Sequence, residues 1–340
     1  MKPPAPASAP SAGRVGPRRR ALLLGMPAIA AARPARAAAP GCGAAGERDA
    51  GGTPPWPCRT LRIVVGYPPG GVSDQVARAL AEALSGRLGV AAVVENRAGA
   101  SGMLALDQVA GHRPDGHSLC FVAATAVALR ERAAGMRGAS VRPAVPVAGV
   151  MRTPVLVVGT PGLQAQGFDA MLEQARRDPG SIRWATTGDG TTGHAVLERV
   201  RRASGAGIVH VPYKGGGQQI ADALAGHFEV LSTNVAAAQL ADVRAGRLQA
   251  LAVGAPHRLE VLPGTPTLAE LGFPDANLDS LFGLFGPPGL PGATAAAIHR
   301  AVGDALRSGG LQARLQRMNN LPYEGSTDDF ARQVAQEARR

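Results

Sequence analysis

Three glycines at positions 188, 190 and 193 have the spacing G-x-G-x-x-G, which is typical of turns that bind dinucleotides. They lie between the strand-like stretch IRWATT and the helix-like stretch HAVLERVRRA, so the sequence predicts a strand-to-helix turn. A dinucleotide site also needs an acidic residue about 20 positions later. The chain has Pro212, Tyr213 and Lys214 there. Because Lys214 could meet the extra phosphate of NADP, an NADP-dependent oxidoreductase using Gly188–Gly193 remains an alternative.

The same turn can bind a smaller anion without any nucleotide. Glycines let backbone N–H groups converge, and the following helix adds its positive N-terminal end. The hydroxyls of Thr187 and Thr191 add further donors. Comparable glycine-rich loops between a strand and a helix occur at residues 69–74 and 213–217. Since ligands of open α/β sheets bind at the carboxyl ends of strands, these loops predict a small acid held between two lobes.

Each of these residues also has a purely structural interpretation. A Gly-Gly pair after a strand is often only a tight turn, and Ser73 or Asp74 can simply cap a helix. His194 can pack, and Lys214 can be solvated. The ligand-site hypothesis therefore depends on the joint position of the loops at equivalent ends of two lobes. Motifs for catalysis or for metal binding, such as G-x-S-x-G, C-x-x-C and H-E-x-x-H, do not occur, so we expect no enzyme, metal or cofactor.

The loops sit within two alternations of strand and helix patterns. Strand-like runs are LRIVVGY, VAAVVE and HSLCFVAAT, and Val76, Leu80 and Leu84 follow the first run at helical spacing. A second alternation begins at FDAMLEQARRD and continues to LQALAVG. Such alternation predicts parallel sheets covered by helices on both faces. Extended crossings near residues 146–156 and 252–256 predict a hinge, SLFGLFGPPG is a further crossing candidate, and residues 126–145 show no assignable pattern.

The net charge of +11 is concentrated near the N terminus. Residues 1–40 contain seven Lys or Arg residues and no acid, which leaves +4 for residues 41–340. A basic cluster with interleaved aromatics, expected of a nucleic-acid binder, does not follow. The run RRRALLLGMPAIAAA is typical of an export signal, with the general secretory and twin-arginine routes both open. Lipid anchoring at Cys42 is disfavoured because APGC lacks the upstream Leu of a lipobox.

The three cysteines, Cys42, Cys58 and Cys120, are an odd number for an exported chain. At least one thiol is therefore unpaired if none is lipidated. Cys120 lies in an apolar strand-like run, so we expect it to be a buried and inert thiol. Whether Cys58 and Cys120 pair is open.

Several stretches together resemble the Bug-type substrate-binding receptors of tripartite tricarboxylate transporters. They are LRIVVGYPPGGVSDQVARALAEALSGRLGVAAVVENRAGASGMLALDQVA, PDGHSL, HVPYKGGGQQIADALAGHFEV and ALAVGAPHRLEVLPGTPTLAELGFP. The resemblance extends from about Trp56 to about Phe330. It implies a periplasmic-binding-protein fold of type II, in which two α/β lobes are joined by crossing strands and close on a carboxylate-bearing molecule that passes to membrane subunits.

The resemblance also implies which residues hold the ligand. In the first lobe they are Tyr67, Pro69, Gly70, Gly71, Ser73 and Asp74. In the second lobe they are Thr187, Gly188, Gly190, Thr191, His194, Tyr213, Lys214, Gly215, Ser232 and Asn234. The chain departs from the family pattern in a Thr-rich second loop, in Gly193, and in Thr233, which stands where an acid is common. A neutral Thr233 weakens the case for an amino-acid ligand, whose ammonium group needs a counter-charge.

These inferences combine into one organisation of the chain. Residues 1–40 are the export signal and residues 41–58 a flexible linker. Residues 59–150 and 255–340 form the first lobe, and residues 151–254 form the second. We expect a periplasmic monomer that binds a small organic acid, without a cofactor and without nucleic acid.

Overall fold

A computed structural model describes residues 56–136, 143–213 and 216–339. Its strands form one continuous sheet in the order β2-β1-β3-β9-β4-β7-β5-β6, with β8 and β10 also paired to β4. The strands are β1 Leu61–Val65, β2 Ala92–Asn96, β3 Ser118–Ala123, β4 Val145–Gly159, β5 Ile182–Thr186, β6 Ile208–Pro212, β7 Val230–Asn234, β8 Gln249–Gly254, β9 Asp279–Gly286 and β10 Leu321–Pro322. Strand β4 is long enough to belong to both lobes, and it divides the sheet into two halves.

The first lobe contains the half of the sheet built on β1. Strand β1 pairs in parallel with β2 and β3, whereas β9, β4 and β10 add to the sheet in antiparallel fashion. Its helices are α1 Val72–Leu88, α2 Met103–Ala110, α3 Ala124–Met136, α8 Gly292–Arg307, α9 Gly309–Arg317 and α10 Thr327–Arg339. Helices α1, α8 and α9 cover one face with apolar side chains, and α2, α3 and α10 cover the other.

The predicted helix after the first strand is confirmed as α1. Val76, Leu80 and Leu84 are all buried, because their four-residue spacing puts them on one helical face. The helix ends at Gly89, whose φ of 66° is the left-handed conformation that a glycine adopts most easily. This end fixes the direction in which the chain turns into β2.

The second lobe contains the half of the sheet built on β5. Strand β5 pairs in parallel with β6 and β7, and β4 pairs antiparallel with β7 and β8. Its helices are α4 Phe168–Arg177, α5 Thr192–Ser204, α6 Gly216–Leu224 and α7 Ala237–Arg244. Helices α4 and α5 cover the face that includes the fully buried Trp184, and α6 and α7 cover the other face. Parallel strands with helices on both faces therefore occur in both lobes, and the crossing strands are antiparallel.

The segment between β8 and β9, residues 255–278, packs on the second lobe, although the sequence pattern assigned it to the first. Leu268, Ala276 and Leu278 are part of the apolar core that also contains Trp184. Val253 forms an isolated parallel bridge with Thr267. The chain returns to the first lobe only at β9, whose Asp279 pairs with Pro154 of β4. The two crossings are therefore β4 and β9, which lie side by side. The expected crossing near residues 252–256 is instead the end of β8, which pairs with β4 within the second lobe.

Two further open points of the sequence are resolved by the structure. In the stretch 126–145, where the pattern faded, residues 126–136 belong to helix α3, residues 137–142 lie outside the described residues, and Val145 begins β4. Cys58 is disulfide-bonded whereas Cys120 is a free buried thiol, so these two cysteines do not pair. Across the described residues, no helix combines the length and apolar character that crossing a bilayer requires. The expected export signal and nearly all of the linker lie outside the described residues.

Candidate functional site

The first glycine loop connects β1 to α1 and leaves the N terminus of that helix without a side-chain cap. Gly71 is the N-cap residue, with extended φ and ψ angles of −73° and 169°, and it has no side chain that could accept from the first amides. A Cβ at Gly71 would meet only the Pro68 carbonyl oxygen, at 3.7 Å. Gly70, with a φ of 84°, makes the turn. The amides of the first turn and the positive end of the helix dipole are therefore presented to the loop.

Asp74 shapes this loop from inside. Its carboxylate accepts hydrogen bonds from the Gly70 amide at 2.9 Å, from Asn96 Nδ2 at 2.9 Å and from Arg78 Nε at 3.1 Å. Burial alone would raise the pKa of Asp74, but the hydrogen bonds from Arg78, Gly70 and Asn96 outweigh it and hold the pKa below its ordinary value. The side chain is therefore a charged brace of the loop, with its acceptor oxygens already in use.

Tyr67 closes the inner side of the same loop. Its phenol oxygen accepts from the Ala123 amide at 3.2 Å, and its ring meets Phe282 edge-on with centroids 5.8 Å apart. Burial raises the pKa of Tyr67 far above its usual range, so the hydroxyl stays protonated and can still donate one hydrogen bond. Asn96 also donates to the Tyr67 carbonyl oxygen at 3.1 Å, which ties the loop to the end of β2. Of the other predicted residues here, Pro69 is exposed and Ser73 is buried.

The second glycine loop connects β5 to α5 and is held by its own side chains. Thr191 is the N-cap residue, since its Oγ1 accepts from the His194 amide at 3.4 Å and donates to the Gly188 carbonyl oxygen at 2.8 Å. The Gly190 amide donates to His194 Nδ1 at 2.8 Å. The Gly188 amide donates to Thr186 Oγ1 at 3.3 Å. Nearby side chains therefore satisfy several amides of this loop. In the first loop Asp74 satisfies the Gly70 amide, but no side chain caps the start of the helix.

His194 and His210 stack beneath this loop, with ring centroids 4.2 Å apart and planes within 10° of parallel. Together with Asp189 they offer ligand atoms within 4.8 Å of one another. However, His194 Nδ1 accepts the Gly190 amide, so in the neutral ring Nε2 carries the proton and faces Glu198 Oε1 at 3.5 Å. A metal must lie in the plane of each imidazole that binds it, and two parallel planes share no such point. The arrangement suits a stacked histidine pair.

The remaining predicted residues of the second lobe are held mostly by internal partners. The Tyr213 hydroxyl donates to Asp222 Oδ2 at 2.7 Å. Burial, and after it this hydrogen bond, raises the pKa of Tyr213 to about 12. Ser232 Oγ donates to the Gly193 carbonyl oxygen at 3.0 Å, and Asn234 Oδ1 accepts from Ser280 Oγ at 2.8 Å. Thr187 lies half-buried at the start of the glycine loop. Lys214 and Gly215 lie outside the described residues.

The two lobes meet at the second glycine loop. A Cβ built on Gly188 would lie 2.8 Å from Ser101 Oγ, and one built on Gly190 would lie 2.1 Å from Leu129 Cδ2. Ser101 and Leu129 belong to the first lobe, because they follow β2 and β3. Both glycines also have positive φ angles, 134° and 66°. They are therefore required twice, for the turn itself and for the close approach of the other lobe.

Sequence reasoning missed both of these cross-lobe residues. Ser101 lies in the stretch NRAGASG, whose composition is typical of a loop. The two glycines near Ser101 were the only feature of the sequence that could have indicated an unusual backbone there. Residues 99–102 all have positive φ angles, among them Ala100 at 47° and Ser101 at 53°, a conformation that non-glycine residues seldom adopt. Leu129 lies in the stretch that showed no assignable pattern. The structure thus adds two contact residues to the predicted site.

The dinucleotide interpretation of the glycine spacing finds no support in this geometry. The third glycine, Gly193, lets α5 pack on β7, since a Cβ there would lie 2.7 Å from Ser232 Oγ. Strand β6 ends at Pro212, followed by Tyr213, so the position of the ribose-binding acid is held by residues without a carboxylate. Packing at the third glycine is common to both interpretations, so the absence of this carboxylate is the observation that counts against a dinucleotide.

Two α/β lobes joined by adjacent crossings, each with a glycine-rich loop at a helix N terminus, define a two-lobed solute-binding protein of the periplasmic type. Comparison with protein families makes this specific. The family model described as tripartite tricarboxylate transporter family receptor matches residues 76–340. The chain belongs to this family.

Individual relatives agree with this assignment. The chain is 31% identical to Protein BugT of Bordetella pertussis over 294 residues, which cover 84% of this chain and 88% of the relative. Among solved structures, MatC from Rhodopseudomonas palustris with bound malate has a TM-score of 0.73 at 27% identity, covering 84% of this chain and 98% of MatC. A second R. palustris protein, solved with adipate, has a TM-score of 0.74 at 28% identity, covering 84% and 96%. This chain therefore shares its fold with these two structures along most of its length.

Proposed function

We propose that this protein is a periplasmic receptor that captures a small carboxylate-bearing organic acid between its lobes and delivers it to the membrane subunits of a tripartite transporter. The observation that carries the proposal is the uncapped N terminus of α1, whose amides face a loop braced by Asp74. Backbone amides at a helix N terminus can neutralise a carboxylate without an arginine. The malate and adipate held by two structural relatives are acids of this class.

The second lobe contributes the closing surface in this proposal. Its glycine loop meets Ser101 and Leu129 of the first lobe, so an acid at the N terminus of α1 is enclosed when the loops meet. Thr187, at the start of that loop, supplies a hydroxyl for the side of the ligand that faces the second lobe. The protein acts as a monomer, and no cofactor takes part. The bound acid leaves chemically unaltered.

A thermal-shift screen of mono-, di- and tricarboxylates, with amino acids and NADP included, tests this function. At a concentration 100 times its Kd, the cognate acid should stabilise the protein by about 2.7 kcal/mol. In a protein of this size that is a rise in Tm of about 5 °C. A rise in Tm with NADP and no change in Tm with any of the acids would instead favour an oxidoreductase. NMR spectra of the acid after incubation with the protein should show it unchanged, which distinguishes a receptor from an enzyme.

A further inference from the structure

Leu129 stands out on helix α3 because its side chain reaches the other lobe. Its neighbours Ala126, Val127 and Ala128 are buried, and Ala126 and Val127 pack in the core of the first lobe. Leu129 itself is only half-buried, and its Cδ2 lies 2.1 Å from the position that a Cβ would take on Gly190. The methyl group therefore rests directly on the bare backbone of the second lobe.

The surface that receives Leu129 is formed within the second lobe. Gly190 is held at a φ of 66° by the hydrogen bond from its amide to His194 Nδ1. Thr191 fixes the preceding turn by donating to the Gly188 carbonyl oxygen. None of these bonds involves the first lobe. The recess at Gly190 therefore does not depend on the first lobe, whereas its contact with Leu129 depends on how close the lobes are.

We propose that Leu129 and Gly190 form a closure latch, in which Leu129 is a positioning residue that slows ligand release without touching the ligand. This inference rests on the proposed function, since it assumes an acid bound between the lobes. Two hydrocarbon methyl groups leave water when they seat on Gly190, and they return to water when the lobes separate. The contact therefore favours the closed form over the open form.

Such a latch has a kinetic signature. The ligand enters an open cleft before Leu129 and Gly190 meet, so the association rate constant should not depend on Leu129. Dissociation requires the contact to break, so its rate constant should. The second cross-lobe contact, between Ser101 and Gly188, is made by a hydroxyl. Leu129 is thus the apolar member of the pair and the one whose removal leaves the polar groups of the site intact.

The test is Leu129→Ala, measured by stopped-flow and calorimetric titration with the acid that gives the largest thermal shift. Alanine has the highest helix propensity, so α3 remains formed. We expect Kd to rise about fivefold, which is the effect of losing a half-buried leucine contact. The whole change should appear in the dissociation rate constant. The matched control is Leu321→Ala, the same truncation at a half-exposed leucine of β10, which should leave both rate constants unchanged.

A second variant checks that the effect comes from this contact. Gly190→Ala places a methyl group against Leu129 and should weaken binding more than Leu129→Ala does. In the Leu129→Ala background, the added methyl group has room, so its effect on Kd should shrink at least severalfold. Equal Kd values for wild type and Leu129→Ala, or equal effects of Gly190→Ala in both backgrounds, would overturn the latch while leaving the receptor function intact. If the wild type binds no acid, the proposed function fails and the latch fails with it.

Discussion

The two strand-to-helix loops of this receptor look alike in sequence and differ in how their polar groups are used. In the first lobe, α1 starts at Gly71 without a side-chain cap, and its loop is braced from below by Asp74. In the second lobe, α5 is capped by Thr191 and the Gly190 amide is taken by His194. The first loop therefore leaves the amides at the start of α1 without a side-chain acceptor, whereas the second satisfies its own amides and presents glycine backbone to the other lobe.

This difference teaches that glycine content alone does not reveal what a loop binds. The space at Gly71 is open, since a Cβ there would have only one neighbour, at 3.7 Å. The spaces at Gly188 and Gly190 are filled by side chains of the first lobe. We infer that the first lobe mainly holds the carboxylate and that the second mainly closes over it. The predictions below test this division of labour.

The largest effect is expected for Gly71→Asp. The extended backbone at this position suits a capping residue, so the new carboxylate would accept from the first amides of α1 in place of the ligand and would also repel it. Binding of the acid, measured by calorimetry, should be abolished. Gly71→Asn, the neutral residue of the same shape, should weaken binding less. If Gly71→Asp binds the acid with unchanged affinity, the first loop does not bind the ligand.

Valine substitutions at the two loops should separate affinity from stability. Gly71 has an ordinary φ and open space beside it, so a valine side chain would fit the protein and would occupy the space proposed for the ligand. Gly71→Val should therefore abolish binding while leaving Tm within about 1 °C of wild type. At Gly188 a valine side chain would clash with Ser101 Oγ, and the φ of 134° is unfavourable for any residue but glycine. Gly188→Val should therefore abolish binding and also cost about 2 kcal/mol of folding stability. Chemical denaturation of both variants measures the second quantity. Equal stability losses would contradict the contrast between an open and a filled glycine position.

Asp74, which braces the first loop, and Thr191, which caps α5 in the second, should differ in how much stability they contribute. Asp74→Asn removes a buried charge that accepts three hydrogen bonds and should lower the free energy of unfolding by about 2 kcal/mol. Thr191→Ala removes the cap of α5 and should cost about 1 kcal/mol. Urea unfolding compares the two variants. Asp304→Asn, at a more exposed carboxylate, is a control that should change little. If Thr191→Ala lowers the free energy of unfolding more than Asp74→Asn does, Asp74 is not the main brace of its loop.

The smallest effect is a pH dependence shared by both lobes. Burial lowers the pKa of His210 in the second lobe, helped by the nearby His194, and burial also lowers the pKa of His117 in the first. The unfolded chain, with the ordinary value of 6.5, therefore takes up protons first, so stability is complete above that pH and declines as the pH falls through it. Urea unfolding at pH 7.5 and 5.5 should show this decline.

A histidine replacement assigns this decline to a lobe. His210→Asn should reduce the loss of stability between pH 7.5 and 5.5, because one protonation that favours the unfolded chain is removed. His257→Asn, at an exposed histidine, should leave the loss as it is. The carboxylates with lowered pKa values, such as Asp74 and Glu229, act only at lower pH and do not enter this window. A pH-independent stability in the wild type would contradict the burial of these two rings.

Much of the architecture was readable from the sequence, because local patterns determine it. Apolar spacing predicted α1, and strand-like runs ending in glycine loops predicted where the loops would lie. Helix α3 was not predictable, because its buried face includes Arg130, which forms a salt bridge with Asp107. The helix therefore lacks a continuous apolar stripe in the sequence. The packing of residues 255–278 on the second lobe depends on contacts distant in sequence, which place Leu268 and Trp184 in one apolar core.

For the site, residue types were readable and their partners were not. The sequence offered Asp74 and His194 as ligand residues, but it could not show that their acceptor atoms are already used by Gly70 and Gly190. Nor could it show Ser101 facing Gly188, because that contact depends on how the two lobes meet. Tertiary geometry thus decides which polar groups remain for a ligand.

A crystal structure of the protein with the acid that gives the largest thermal shift tests the central claim most directly. The account predicts a carboxylate oxygen within about 3 Å of backbone nitrogens in the first turn of α1, Val72 to Asp74, with Gly188 and Gly190 closed over the ligand. A carboxylate bound elsewhere, with those nitrogens left to solvent, would contradict it.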